Sequence, residues 1–243
     1  YLRKKGIAKA SKKMSRTAAE GLVLIHEQDN MIAAIEVNSE TDFVAKNKDF
    51  INFCKEISEI NFNNKGDIKK LKSSKMTNNK TVDESLINLI SKIGEKITLR
   101  RSKFFTDKGK NFKYVHNALE NNVGKVVSVV KLEGNENNNI DDIGKKIAMH
   151  IAASAPIAID KSNLSNEIIN KELEIIKEEL KNSGKQENMI DKISQGKINK
   201  FISDNTLLNQ IWIMDPKKKV KDILTKDMKI LDFVRFKVGE GVE

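Results

Sequence analysis

One stretch of the sequence predicts the fold, residues 31–44, Met-Ile-Ala-Ala-Ile-Glu-Val-Asn-Ser-Glu-Thr-Asp-Phe-Val. Residues 31–38 form an apolar run typical of a β-strand. The polar residues that follow, 38–41, have short side chains that bond free backbone amides, which ends a strand and opens a helix. Phe43 therefore lies at the end of an element, beside the carboxylate of Asp42. One interpretation makes Phe43 a core residue, because apolar side chains are mostly buried; the other makes Thr41 to Val44 the working tip of the protein.

The elements around this tip are predicted by local patterns. Two apolar runs, 21–27 and 31–37, are separated by the turn formers Gln28-Asp29-Asn30, which indicates a β-hairpin. After the tip, apolar residues recur at steps of three and four from Phe50 to Ile60. This spacing predicts an amphipathic helix that begins near Asn47.

A second helix and a closing strand follow. Thr81-Val82-Asp83-Glu84 has the pattern of a capping box, and Gly94 stands where the helix should end. Residues 96–105 are then predicted to form a strand. The pair Arg100-Arg101 in that strand has two interpretations, a phosphate contact or a solvated strand face.

The second part of the chain repeats this order of elements. We expect strands over 112–116 and 123–132, a helix from Asp141 to Ala155, a short helix opened by Asp215-Pro216 and a last strand over 230–238. Two further helical stretches, 165–184 and 186–203, are joined at a glycine.

These elements predict an α+β fold of two related halves, in which antiparallel strands pack with helices. The first half spans 17–107. The second spans 108–243 and carries an inserted helical hairpin over 165–203. Residues 1–16 precede both halves as a basic tail and linker.

The composition argues against two classes of partner. The net charge is +10, but the positive charge is almost all lysine and is spread along the whole chain, and aromatic residues make up only 5%. Nucleic-acid-binding surfaces favour arginine and stacking aromatics, so no direct nucleic-acid partner is expected. No run of about 18 apolar residues occurs, so no membrane span is expected. Cys54 is the only cysteine and falls on the apolar face of a predicted helix, where we expect it to be buried.

Motifs for catalysis, cofactors and metals are absent from the sequence. It contains no phosphate-binding loop, no dinucleotide fingerprint and no His-Glu-x-x-His helix, and one cysteine with three histidines cannot form a Cys-rich zinc site. The histidines His26, His116 and His150 lie in no known nucleophile pattern. We therefore predict a protein that is not an enzyme and has no cofactor and no metal site.

The sequence closely resembles one family, translation elongation factor Ts, the guanine-nucleotide exchange factor for elongation factor Tu. The resemblance extends over nearly the whole chain. It is carried by Leu2-Arg3-Lys4-Lys5-Gly6, by 36–45 around Thr41-Asp42-Phe43-Val44, by Ile93-Gly94-Glu95, by Ile147-Ala148-Met149-His150-Ile151-Ala152-Ala153 and by Phe236-Lys237-Val238-Gly239-Glu240-Gly241.

The resemblance implies a function in protein biosynthesis and a set of partner-binding residues. The chain would bind the GTPase elongation factor Tu and promote GDP release by disturbing its magnesium and phosphate site. Asp42 and Phe43 would reach beside that magnesium, with Thr41 and Val44 framing them. His150 would be a secondary partner contact, and so would Gly124. A basic RNA-binding module of the translation machinery is the alternative function.

The resemblance also bears on the ends of the chain and on its location. It implies that an amino-terminal helical module is absent except for its last turn near Tyr1, and that an extension beyond Glu243 is missing. The start without Met indicates a processed or trimmed form. The excess of lysine and asparagine favours an organelle, a plastid or a mitochondrion, with a bacterial cytoplasm as the alternative. The sequence favours neither a monomer nor an oligomer.

Overall fold

The computed structural model describes residues 13, 15–135 and 139–242, so the expectation for residues 1–16 lies almost entirely outside the described residues. The described part has the predicted α+β fold. Its strands are β1 (Glu20–Gln28), β2 (Met31–Ser39), β3 (Ile97–Phe105), β4 (Lys110–His116), β5 (Val123–Gly124), β6 (Val126–Glu133) and β7 (Lys229–Lys237). Its α-helices are α1 (Asp42–Ala45), α2 (Lys48–Asn63), α3 (Ile68–Ser73), α4 (Val82–Ile93), α5 (Ile140–Ser154), α6 (Asn166–Asn182), α7 (Glu187–Asn205) and α8 (Val220–Ile223).

The chain divides into two compact units. Unit 1 consists of Tyr1–Lys131 with Val234–Glu243, and unit 2 of Leu132–Phe233. The predicted division between residues 107 and 108 falls elsewhere, because β4 and β5 belong to unit 1 and the two boundaries fall within β6 and β7. A four-stranded sheet has the order β3-β2-β1-β5, and a three-stranded sheet has the order β4-β6-β7.

The predicted hairpin of β1 and β2 is confirmed. The two strands pair antiparallel from Glu20 opposite Ser39 to Gln28 opposite Met31. Asp29 and Asn30 make the turn with positive φ angles of 48° and 64°. These two residue types tolerate the left-handed region, which tight hairpin turns require.

Both faces of the four-stranded sheet are covered in unit 1, which explains why its central strands are almost continuously apolar. Leu22, Leu24 and Ile35 pack on one face against apolar side chains of α2 and α4. Val23, Ile25, Ile32, Ala34, Phe105, Val127, Val129 and Phe236 form a second cluster. The alternation along β1 follows the two-residue period of a strand.

The helix starts of unit 1 also agree with the local patterns. Asn47 caps α2 by accepting hydrogen bonds from the backbone N–H groups of Asp49 and Phe50. The capping box of Thr81 and Glu84 opens α4, and Gly94 ends it in the left-handed conformation. Cys54 is buried, as expected. The sequence did not predict α3, which is capped by Asp67 and buries Leu71.

Unit 2 contains α5 and the predicted helical hairpin, which is formed by α6 and α7. The hairpin helices bury a shared cluster that includes Ile176, Leu180, Ile190 and Ile198. The short helix predicted to open at Asp215-Pro216 is placed wrongly. Residues 215–218 form a turn in which the Lys218 N–H donates to the Asp215 carbonyl at 3.0 Å, and α8 begins only at Val220.

The interpretation of the arginine pair as a solvated strand face is wrong, because Arg100 and Arg101 are largely buried and bind a carboxylate inside unit 1. The phosphate-contact interpretation stays a prediction. The ladder of β2 and β3 shifts register between Glu36 and Val37, so that Glu36 faces Arg101, Val37 faces Leu99, and Arg100 is the extra residue of a β-bulge. This bulge lets two consecutive side chains reach one acceptor. Arg100 Nη1 lies 3.0 Å from Glu36 Oε1, and Arg101 Nε lies 2.5 Å from Oε2.

The same carboxylate ties the end of unit 1 to the sheet. Glu36 is fully buried and also accepts hydrogen bonds from the Gly239 N–H at 2.8 Å and from the Asn38 amide at 3.0 Å. Burial alone would raise the pKa of Glu36, but the hydrogen bonds from Gly239, Asn38 and the two arginines outweigh it and hold that pKa below its ordinary value. Glu36 is therefore a carboxylate at neutral pH.

Candidate functional site

The tip at Thr41 to Val44 begins where β2 ends, and its first residue is anchored by a distant side chain. The Thr41 N–H donates to Glu95 Oε2 at 3.0 Å, and the Thr41 hydroxyl donates to Glu95 Oε1 at 2.8 Å. Glu95 directly follows Gly94, the glycine that ends α4. The carboxylate of Glu95 thereby joins the end of α4 to the start of α1.

The far side of the tip is held by the core of unit 1. Val44 and Ala45 are buried in the cluster that α2 and α4 form with the sheet. The Lys46 N–H donates to the Phe43 carbonyl at 3.2 Å, and the Asn47 N–H donates to the Val44 carbonyl at 2.9 Å. These bonds lead the backbone directly into the capped start of α2. Residues 41–47 are therefore fixed at both ends.

Phe43 projects from this fixed backbone into solvent. It is 79% exposed, whereas the next residue, Val44, is 5% exposed. The interpretation of Phe43 as a core residue is wrong, because the helical turn directs Val44 and Ala45 inward and leaves Phe43 on the outer side. Aromatic side chains presented on rigid backbone are typical anchors of protein–protein interfaces.

Asp42 stands beside the ring as a half-exposed carboxylate. Its Oδ2 lies 2.9 Å from Lys46 Nζ, one helical turn away. The hydrogen bond from Lys46, together with the positive charge of that lysine, lowers the pKa of Asp42. Surface pairs of this kind contribute little free energy, so a partner's donor can replace Lys46 at small cost.

Two carboxylates of the site were missed by sequence reasoning. The sequence predicted a contact for neither of them: Glu95 belongs to the motif Ile93-Gly94-Glu95, and Glu40 to the polar stretch 38–41. Glu40 Oε1 accepts a hydrogen bond from the Lys96 N–H at 2.6 Å and faces Arg16. The order of residues offers no signal for these contacts, because they join positions 24 to 56 residues apart.

His150 belongs to unit 2 and is fully buried. Its ring stacks on Trp212 with the centroids 5.2 Å apart, and Nε2 lies 3.0 Å from Gln210 Oε1. The amide nitrogen of Gln210 donates to the carbonyls of Ser154 and Asp204, which leaves Oε1 as an acceptor and assigns the proton of His150 to Nε2. Nδ1 is buried and has no partner among the described residues. The partner-contact role of His150 stays a prediction.

We expect His150 to make the stability of unit 2 depend on pH. Burial lowers the pKa of His150, and the hydrogen bond to Gln210 offsets this only in part. Between about pH 8 and about pH 5, the unfolded chain takes up a proton at this residue more readily than the folded chain. The free energy of unfolding therefore decreases as the pH is lowered. Urea unfolding followed by the fluorescence of Trp212, the only tryptophan, should show a stability advantage of wild type over His150→Gln that shrinks toward acid pH. A constant difference across this range would contradict the prediction.

Gly124 lies in β5, where it pairs with Val23 of β1. A Cβ atom at this position would lie 2.6 Å from Val115 Cγ1 and 3.0 Å from the His116 carbonyl oxygen. Close packing therefore accounts for the glycine, and its predicted role as a partner contact stays a prediction.

Replacing Gly124 by Ala is expected to lower the free energy of unfolding by about 1–3 kcal/mol, because the added methyl overpacks β5. Thermal melting followed by circular dichroism checks this. Gly196→Ala is the matched control, since a Cβ there meets nothing within 4 Å and α7 should gain about 0.5–1 kcal/mol from it. Normal stability of the Gly124 variant together with weaker partner binding would instead favour the contact role.

The structure brings the four residues of the tip together in unit 1, which also contains Gly124, whereas His150 belongs to unit 2. Over residues 13, 15–135 and 139–242, no group of three or more His, Cys, Asp or Glu side chains is placed to hold a metal ion. None of the helices described for the chain has the length and apolar character needed to cross a membrane.

The family model and the curated relatives that match this chain agree on one family. Residues 40–240 match the sequence model of a family described as elongation factor TS. Curated proteins named elongation factor Ts are similar along the whole chain: that of Xanthobacter autotrophicus is 42% identical, that of Erythrobacter litoralis 40% and that of Rickettsia felis 38%. Each alignment covers 100% of this chain and 82% of the relative. These relatives are bacterial, so the comparisons do not support the expectation of a plastid or mitochondrion.

Proposed function

We propose that this chain, which belongs to the elongation factor Ts family and is a translation elongation factor, binds elongation factor Tu and promotes the release of GDP from it. The observation that carries the proposal is the exposed ring of Phe43 on a backbone fixed by Glu95 on one side and by buried Val44 on the other. A bacterial cytoplasm is the location that we propose with it.

The physics of nucleotide binding explains how such a tip can act. A GTPase holds its nucleotide through contacts to the phosphates and through a magnesium ion that bridges phosphate oxygens to the protein. Phe43 can enter apolar space beside these groups and displace them, while the carboxylate of Asp42 offers an acceptor to a donor of the partner. Neither side chain has to bind magnesium itself, and no covalent bond changes in this action.

The fixed backbone makes this displacement efficient. A flexible loop would lose conformational freedom on binding, and that loss would reduce the free energy available to distort the partner. Residues 41–47 are already ordered by the bonds to Glu95 and by the turn into α2. The contact free energy of Phe43 can therefore act against the nucleotide site.

The coupling between the factor and the nucleotide is reciprocal. If the chain lowers the affinity of elongation factor Tu for GDP by some factor, then GDP lowers the affinity of elongation factor Tu for the chain by the same factor. Rebinding of nucleotide thus releases the chain, which can act on another molecule of the partner.

Stopped-flow release of a fluorescent GDP analogue from elongation factor Tu tests the proposal. The release rate should rise with the concentration of this chain, and the affinity for GDP should fall by roughly 5–150-fold. The affinity of the chain for its partner, measured with and without GDP, should change by an equal factor. Tight binding to nucleotide-free elongation factor Tu without faster release, or no binding at all, would contradict the proposal.

A further inference from the structure

We propose that unit 1 holds a binding site for a small oxyanion that still carries a protonated oxygen at neutral pH, of the class of inorganic phosphate. The site is a pocket of about 260 Å³ between residues 15–18 and the paired strands β2 and β3. This volume exceeds that of one or two waters, each of which takes about 30 Å³. The side chains that matter are Arg16, Thr17, Asn38, Lys96, Thr98 and Arg100.

The charges at this pocket favour an anion. Three cations, Arg16, Lys96 and Arg100, line it, and no carboxylate is among its described lining residues. Two nearby carboxylates each take one of these charges, since Glu40 faces Arg16 and Glu36 binds Arg100. Three cations and two carboxylates leave one positive charge in excess.

Donors remain available on these cations. Lys96 Nζ donates to the uncharged main-chain oxygen of Arg16 at 2.6 Å, and an ammonium group has two more hydrogens. Arg16 is half exposed and lies 3.3 Å from Glu40, so this pair is loose and its guanidinium can turn toward a ligand.

The amide of Asn38 sets the chemistry of the ligand more narrowly. Its nitrogen donates to the Glu20 carbonyl at 3.1 Å and to Glu36 at 3.0 Å, which fixes the orientation of the amide. The oxygen Oδ1 is buried and has no partner among the described residues, although Asn38 lines the pocket. A buried acceptor without a donor is costly. Thr98 is the cross-strand partner of Asn38 and adds a hydroxyl to the lining.

These two features together distinguish between anions. The excess positive charge selects a negative ligand, and Asn38 Oδ1 selects one that still carries an O–H. Inorganic phosphate keeps a protonated oxygen at neutral pH, whereas sulfate has none and would place two acceptor atoms against each other. The pocket should therefore prefer phosphate to sulfate.

Titration of the purified chain with phosphate and with sulfate at matched ionic strength and neutral pH tests this site. Calorimetry should give a dissociation constant for phosphate on the order of 1 mM. Sulfate should bind roughly tenfold more weakly, as expected for one buried hydrogen bond lost. Backbone amide signals of Thr17, Ala18 and Thr98 should shift with phosphate in nuclear magnetic resonance spectra.

A pair of charge variants localises the binding. Lys96→Met removes one cation from the pocket and should weaken phosphate binding by roughly tenfold. Lys72→Met removes the same charge from an exposed position on α3 and should leave phosphate binding unchanged. Equal binding of phosphate and sulfate, equal losses in both variants or amide shifts outside the pocket would overturn the proposal. If Lys96→Met fails to fold, the sulfate comparison and the amide shifts of wild type still decide it.

Discussion

Replacement of Phe43 by Ala is expected to slow exchange on elongation factor Tu by at least about 30-fold at equal protein concentration. This factor corresponds to about 2 kcal/mol, the loss that marks an aromatic anchor of an interface. The measurement is the release rate of a fluorescent GDP analogue with the variant and with wild type.

The stability of the Phe43 variant should change little. The ring is 79% exposed, and the neighbouring core contacts are made by Val44 and Ala45, which stay in place. Exposed substitutions of this kind usually change stability by less than about 0.5 kcal/mol. Alanine also favours the helical conformation of α1.

Leu119→Ala serves as the matched control for the Phe43 variant. Leu119 is another exposed apolar residue of unit 1, and its removal should leave exchange within about twofold of wild type if single exposed apolar residues carry no general function. A large fall in melting temperature for Phe43→Ala would mean that the ring stabilises the fold. If a folded Phe43 variant exchanged GDP as fast as wild type, the ring of Phe43 would have no role in exchange.

Replacement of Glu36 by Gln is expected to lower the free energy of unfolding by about 3 kcal/mol. The variant keeps the volume of the side chain but removes the charge that binds Arg100 and Arg101. It also places an amide nitrogen, which is a donor, against the arginines and the Gly239 N–H, which are donors too. Breaking a buried ion pair on one side typically costs about 3–5 kcal/mol, and we expect the low end because both arginines retain partial contact with water.

Glu27→Gln is the control for this charge change. Glu27 pairs with Lys113 at a partly exposed position. Losing this ion pair should lower the free energy of unfolding by less than about 1 kcal/mol. Urea unfolding followed by circular dichroism compares the two variants. Similar losses from both would show that the cluster at Glu36 contributes no more than a surface pair.

The acid dependence of stability provides a second readout for Glu36. Because its pKa is lowered in the folded chain, Glu36 contributes stability above the ordinary carboxyl pKa of about 4.3, and this contribution is lost as pH falls through the lower folded value. The Gln variant lacks this component. Its stability should therefore fall less steeply than that of wild type below about pH 4.3.

The sequence alone determined those features that depend on a few neighbouring residues. The turn at Asp29-Asn30, the cap at Asn47 and the capping box at Thr81 all appear where their patterns predict them. Each is set by hydrogen bonds and backbone preferences within about one turn of chain. Asp215-Pro216 is the exception: its cap chemistry closed a turn and did not open a helix, since both are stabilised by the same local bonds.

Only the tertiary structure decided which side chains are exposed and which charges meet. Phe43 and Val44 are adjacent and both apolar, yet one is exposed and the other buried, because the packing of α1 on the core selects the inward side. Glu95 reaches Thr41 across 54 positions, and Glu36 reaches Arg100 and Arg101 across 64 and 65. Local preferences carry no information about such distances. These contacts exist because the sheet and helices of unit 1 pack together and leave each carboxylate beside one set of donors.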